Sequence, residues 1–103
     1  MNIGKLDNKN YFPEIFQAVA GENYTVYAYM NDGAIRLVNV LPFIEKGGVF
    51  EPLKDKNVFK SALTIIGNNV AWDLDGTRDE YKCIDIDPFY IFESPIVQDN
   101  PEL

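Results

Sequence analysis

The residues able to do chemistry crowd into one stretch, "WDLDGTRDEYKCIDIDP", positions 72–88. Cys83 follows Lys82, a neighbour that lowers a thiol pKa when both are exposed, although a cysteine in an alternating strand is usually a small buried hydrophobe. Asp73, Asp75, Asp79 and Glu80 surround Gly76 in the manner of a calcium loop. An EF-hand, however, needs glycine at its sixth position and glutamate at its twelfth, and Gly76 is fourth from Asp73. The same residues suit a solvated turn in which Asp73 or Asp75 accepts from backbone amides and Arg78 neutralises a neighbour. Asp85 and Asp87 lie two apart, so a strand puts both on one side, where a cleft could split them into an acid and a base. Asp87 before Pro88 equally suits a helix N-cap.

Histidine is absent from the chain, which removes the commonest general base near neutral pH, the Ser-His and Cys-His pairs and the most frequent transition-metal ligand. No catalytic residue, metal cage or cofactor motif is assigned, and the protein is read as non-catalytic. Charge then points to the kind of partner. Residues 1–72 hold seven acids and seven bases, whereas 73–103 hold nine acids against Arg78 and Lys82, so the net charge of −7 sits in the last third. Such a block repels phosphate backbones and attracts a basic protein or a cation. Direct nucleic-acid binding is not expected.

These residues need a scaffold, and the remaining sequence supplies one. A chain of 103 residues, 47% hydrophobic and 14% aromatic, can bury one core. It has no apolar run near the ~20 residues that span a bilayer, and it begins with a polar "MNIGKLDNKN". With the lone Cys83, this reads as a cytoplasmic protein without a membrane segment. The expected organisation is a polar N-terminal segment over 1–10, a compact domain over 11–95 and a C-terminal tail over 96–103, frayed at "QDNPEL".

"FPEIFQAVAGENYTVYAYMNDGAIRLVNV" predicts three antiparallel strands, with Ile15, Gln17 and Val19 alternating against Phe16 and Ala18, and with a primed turn at Asn31-Asp32-Gly33. "NVLPFIEKGG" predicts a short helix started at Asn39 or Val40 and stopped at Gly47 and Gly48. In "VFEPLKDKNVF", Glu51 precedes Pro52 and so disfavours helix, while Asp55 can cap a second short helix. Phe50, Leu53, Val58 and Phe59 are expected to cover the sheet as a plug, leaving Lys54, Lys56 and Lys60 in water. "ALTIIGNNVAW" predicts another hairpin, and "CIDIDPFYIF" a strand followed by a turn of helix capped by Asp87. The fold class is therefore α+β: an antiparallel five- to six-strand meander sheet with two or three short helices packed on one face.

Tyr27 and Tyr29 fall on the sheet face opposite Val26 and Ala28. If that face is exposed, the pair is a contact site. The binding residues singled out are thus Asp73, Asp75, Asp79, Glu80, Asp85, Tyr27 and Tyr29. The alternative reading is a small-ligand or cation-binding domain with its site around residues 72–87. Unpaired sheet edges leave a homodimer open.

The pieces "FPEIFQAVA", "YTVYAYMNDGAIRLVNV", "GGVFEPLKDKNVFKSA" and "DIDPFYIFE" together resemble the small bacterial family catalogued as Domain of Unknown Function 2442, over about residues 11 to 95. The resemblance implies a small α+β domain of unestablished activity. Some relatives carry an added helix-turn-helix segment and others resemble members of toxin-antitoxin-like pairs. By this resemblance the chain would be the cognate of a basic protein in such a pair.

Overall fold

The computed structural model describes residues 14–97 of the chain. Among these residues, seven strands divide between two antiparallel sheets. Strands β1 (Ile15–Ala20), β2 (Thr25–Met30) and β3 (Ile35–Asn39) form the expected meander, and β7 (Ile96–Val97) pairs with β3 to give the order β1-β2-β3-β7. Strands β4 (Leu63–Ile66), β5 (Asn69–Trp72) and β6 (Ile84–Asp85) form the second sheet in sequence order. The single five- to six-strand meander expected from sequence is therefore corrected to a four-stranded and a three-stranded sheet. The break falls where α1 (Leu41–Lys46), a 3₁₀ segment (Gly48–Lys54) and α2 (Lys56–Ser61) carry the chain from β3 to β4. A connection that long need not return to the neighbouring strand. The Ile15 amide donates to the Asn68 carbonyl at 3.2 Å, tying β1 to the β4–β5 turn.

Straight alternation fails in β1. Ile15 pairs with Met30 but Gln17 already pairs with Tyr29, so Phe16 is an extra residue in a β-bulge. The bulge reverses the phase, which lets Ile15 and Ala18, three residues apart, both join the core. Phe16 is left 64% exposed.

The turns follow local chemistry. Gly67 and Asn68 both take φ +61°, the two-residue primed turn that matches strand twist. Around Asn31-Asp32-Gly33, by contrast, only Gly33 is left-handed (φ +90°), and the Asp32 carboxylate accepts from the Ala34 amide at 2.9 Å. This is a three-residue connection closed by one left-handed residue, in place of the primed turn that the sequence suggested.

Helix α1 starts at Val40 with a proline in its first turn and stops at Gly47 (φ +82°), whose amide bonds to the Ile44 carbonyl. The 3₁₀ segment runs through Pro52 and through Glu51, where the following proline was expected to disfavour helix. Proline's fixed φ suits this tighter turn, and burial of Leu53 at its end offsets the crowding at Glu51. Asp55 caps α2 as expected, accepting from the Asn57 amide at 2.9 Å. Asp87 caps α3 (Pro88–Phe92) in the same way, accepting from Phe89 at 2.9 Å.

The plug forms. Leu53 and Phe59 are buried, Phe50 and Val58 are half-buried against the same core, and Lys54, Lys56 and Lys60 are exposed. Val49, at the start of the same stretch, stays in water at 71% exposure. Phe59 stands edge-on to Tyr24 (centroids 5.3 Å) and tilted against Trp72 (5.5 Å). The indole Nε1–H of Trp72 donates to the Phe59 carbonyl at 3.0 Å. Both sheets and every helix contribute to this one core, through Val26, Val38, Ile44, Phe59, Val70 and Ile91 among others.

The tail expected over 96–103 is corrected at its start, since Ile96 and Val97 form β7 and the Leu37 amide donates to the Pro95 carbonyl at 2.9 Å. The N-terminal segment over 1–10 and the remainder of the tail lie outside the described residues. Among the described residues no helix is long and apolar enough to cross a membrane.

Candidate functional site

Between Trp72 and Ile84 the chain leaves the second sheet and returns to it, and the intervening loop holds four of the singled-out acids. Its carboxylates organise the loop itself. Asp73 Oδ2 accepts from the Arg78 amide at 2.9 Å, and Asp75 Oδ1 accepts from the Thr77 amide at 3.1 Å and from its hydroxyl at 2.8 Å. Asp79 Oδ1 accepts from the Tyr81 amide at 2.8 Å. Gly76 (φ +75°) and Arg78 (φ +57°) supply the left-handed backbone that turns the chain between them. The Glu80 carboxylate lies over the β4–β5 turn, so a Cβ on Gly67 would stand 3.3 Å from its Oε1.

Arg78 decides the electrostatics. Its guanidinium donates to the Ile65 carbonyl at 2.6 Å and to the Thr64 hydroxyl at 3.2 Å, anchoring the loop to β4. The expectation that it neutralises a neighbouring acid is corrected: it is turned to the sheet and pairs with none of the described acids. Among the described residues the one ion pair is Lys54 Nζ to Glu51 Oε2 at 3.3 Å, remote in sequence from this loop. Seven acids between 73 and 93 thus face two bases, one of them withdrawn to the sheet. Opposite charges compensate well only at short range in salt solution, so the surface keeps its negative potential.

Two residues of the loop complete the surface, and sequence reasoning passed over both. Tyr81 is 97% exposed and Leu74 is 47% exposed, set among Asp73, Asp75, Asp79 and Glu80 along the chain. A tyrosine flanked by Glu80 and Lys82 in a segment without apolar periodicity was the available signal.

The structure separates the other singled-out residues from this loop in different ways. Asp85 is exposed on β6, pairing with Ala71, while Ile84 and Ile86 turn inward. Asp87 has left the strand to cap α3, so the two carboxylates do not form an acid-base pair. Tyr27 and Tyr29 do lie opposite Val26 and Ala28, but Tyr27 is only 9% exposed and Tyr29 is half-buried. The exposed tyrosine pair considered from sequence is corrected accordingly: this face offers little ring area to a partner. The tyrosine that offers its ring is Tyr81.

Thr77 holds the Asp75 carboxyl below its ordinary pKa, through its hydroxyl first and its amide second. The sign follows from linkage: a depressed folded pKa means that the loop contact helps above the ordinary carboxylate range and is lost as pH falls through the folded value. Thr77→Ala is expected to raise the Asp75 pKa, read from the carboxyl carbon shift during an NMR pH titration. An unmoved titration would show that Thr77 is not the cause. Burial raises the Cys83 thiol pKa, with the Asp85 carboxylate adding to it, and the thiol contacts the Glu80 carbonyl at 3.5 Å. Lys82 does not activate it. Among the described residues no three His, Cys, Asp or Glu side chains converge to hold a metal ion. Of the carboxylates that resembled a calcium loop, Asp73, Asp75 and Asp79 are instead turned to their own backbone, and Glu80 lies over the β4–β5 turn.

A groove of about 620 Å³ lies elsewhere, where Leu37, Asn39, Leu41, Tyr90 and Glu93 meet. The Tyr90 hydroxyl donates to the Asn39 carbonyl at 2.7 Å, and the Ser94 hydroxyl to the Tyr90 carbonyl at 2.8 Å. The first bond holds α3 to β3 and the second closes the end of α3, so both hydroxyls are engaged within the fold.

No family model matches the chain, and neither a curated protein nor a solved structure matches it. The resemblance to Domain of Unknown Function 2442 rests on the quoted residues.

Proposed function

We propose that this chain is a non-catalytic interaction module whose acidic loop, residues 73–85, docks a basic protein. One observation carries the reading: Arg78 is drawn down onto β4, which leaves Asp73, Asp75, Asp79 and Glu80 without an ion pair among the described residues, beside an almost fully exposed Tyr81. An aromatic ring amid charges of one sign is the composition of a docking surface, with the ring supplying contact area and the charges supplying steering and discrimination. The hydrogen bonds within the loop favour binding because they order the backbone in advance. A toxin-antitoxin-like pair, in which an acidic protein masks a basic one, is the biological setting that the family resemblance supports.

The test is capture of a companion by the full chain. Asp73→Asn, Asp75→Asn and Asp79→Asn retain an acceptor oxygen for the turn bonds while removing charge, and Glu80→Gln does the same beside Gly67. The wild-type chain is expected to retain one basic companion at low salt and to release it at high salt, and the fourfold variant is expected to lose it. Capture that persists equally in the variant and at high salt would refute an electrostatic contact.

A further inference from the structure

The backbone bonds of the second sheet fix which way each residue turns its amide and carbonyl. The Asp73 amide donates to the Ala62 carbonyl at 2.8 Å, so Asp73, Ala71 and Asn69 turn their backbone groups toward β4. By alternation Val70 and Trp72 turn theirs toward β6. Trp72 and Ile84 are then the bonded pair, and Ala71 and Asp85 the pair without bonds between them. The Asn69 side-chain amide donates to the Ile86 carbonyl at 2.9 Å, which puts Ile86 in phase with Ile84. The amide and carbonyl of Asp85 therefore face away from the sheet, and no described residue bonds to either. By the same alternation the Asp87 amide continues this open edge.

The other edges are blunted by familiar devices. Ile65 pairs with Val70 and so turns its carbonyl outward from β4, where the Arg78 guanidinium occupies it. Strand β1 carries the Phe16 bulge and is tied to the β4–β5 turn through the Ile15 amide. Strand β7 follows directly on Pro95, which has no amide to donate.

On β6 the protecting device is charge, and it is selective. The Asp85 side chain is exposed on the Ala71 face of the sheet. A second copy of the chain paired across this edge would set carboxylate against carboxylate, and like charges directly opposite are destabilising. An opposite charge at that position is favourable instead. The acidic loop rejoins the sheet at this same strand, so a cationic segment steered to the loop arrives beside the open edge.

We infer that β6 accepts an extended basic segment of the partner as a further strand of the three-stranded sheet. The inference rests on the docking of a basic protein proposed above and adds how the partner is held. Strand addition takes its affinity from main-chain hydrogen bonds and its specificity from alternate side chains. The residue opposite Asp85 exchanges both backbone bonds with it and places its side chain on the Asp85 face, so that position takes lysine or arginine. The residues on either side of it fall on the face of Ile84 and Ile86 and take apolar side chains.

A short peptide alternating lysine and valine, titrated into the isotope-labelled full chain at low ionic strength, tests the inference. With its lysines opposite Asp85, N-methylation of the lysine amides removes the edge donors and keeps the charge, whereas N-methylation of the valine amides leaves those donors intact. The unmodified and valine-methylated peptides are expected to bind alike and to protect the Asp85 and Asp87 amides from hydrogen exchange. The lysine-methylated peptide is expected to bind about tenfold more weakly, as the loss of about two hydrogen bonds implies. Equal binding of all the peptides with the Asp85 amide unprotected would overturn strand addition and leave the electrostatic docking standing. Weaker binding of the valine-methylated peptide than of the lysine-methylated one would overturn the register. Binding by none of them would refute the docking itself and strand addition with it.

Discussion

Replacing Trp72 with alanine is expected to destabilise the protein by about 3–5 kcal/mol, the cost of emptying a large aromatic position in a packed core. Trp72 is fully buried, stacks against Phe59 and spends its only polar hydrogen on the Phe59 carbonyl. It thereby fastens the second sheet to α2. Trp72→Phe separates the two contributions: the ring contact is largely kept while the indole hydrogen bond is lost, and the expected cost falls to about 1–3 kcal/mol. Urea denaturation of the three proteins gives the comparison. The prediction fails if the phenylalanine variant is as unstable as the alanine variant, since the hydrogen bond would then be the whole effect, or if neither changes the midpoint. A domain of this size has about 5–15 kcal/mol of stability in total, so the alanine variant approaches the unfolding threshold.

The second large effect concerns the plug. Leu53→Ala is expected to cost about 2–5 kcal/mol, because Leu53 is completely enclosed at the end of the 3₁₀ segment and the cavity left behind cannot easily collapse. Val49→Ala, four residues earlier in the same apolar-looking stretch, is expected to change stability by less than about 0.5 kcal/mol, since its side chain is already in water. Neither the 3₁₀ segment nor α2 is long enough to be stable in isolation, so both exist by docking. Equal effects at the two positions, read from thermal or urea unfolding, would show that the segment does not plug the core in the way described.

The sequence was informative wherever a residue's own side chain acts on its own backbone. Asp55 and Asp87 were recognisable as caps, Gly67-Asn68-Asn69 as a hairpin turn and Gly47 as a helix stop, because each is a local choice between a few conformations. The burial of Leu53 and Phe59 was legible for a similar reason: short helices with apolar residues have nowhere else to go. What depended on distant residues was hidden. The Phe16 bulge serves to bring both Ile15 and Ala18 inward, which no period of two announces. The division into two sheets turns on where β4 lands after two helices, and β7 exists only because β3 leaves an edge for it.

The same distinction holds for the candidate site. The acids at 73, 75, 79 and 80 were visible as a block, and their turn bonds were foreseeable from Asp and Gly spacing. That Arg78 would reach β4, and so cancel none of them, depends on Thr64 and Ile65, more than ten residues away in the chain. Tyr27 and Tyr29 were placed on the right face by alternation, but the extent of their burial is a tertiary property and was not legible.

A lysine- and arginine-rich peptide titrated into the labelled full chain at low ionic strength tests the central claim most directly. Amide shifts are predicted to concentrate on residues 73–85, with Tyr81 among the largest, and to fade at about 0.5 M salt as exposed charges are screened. Shifts spread evenly over the surface, or gathered on the groove beside Tyr90 with the loop silent, would contradict it.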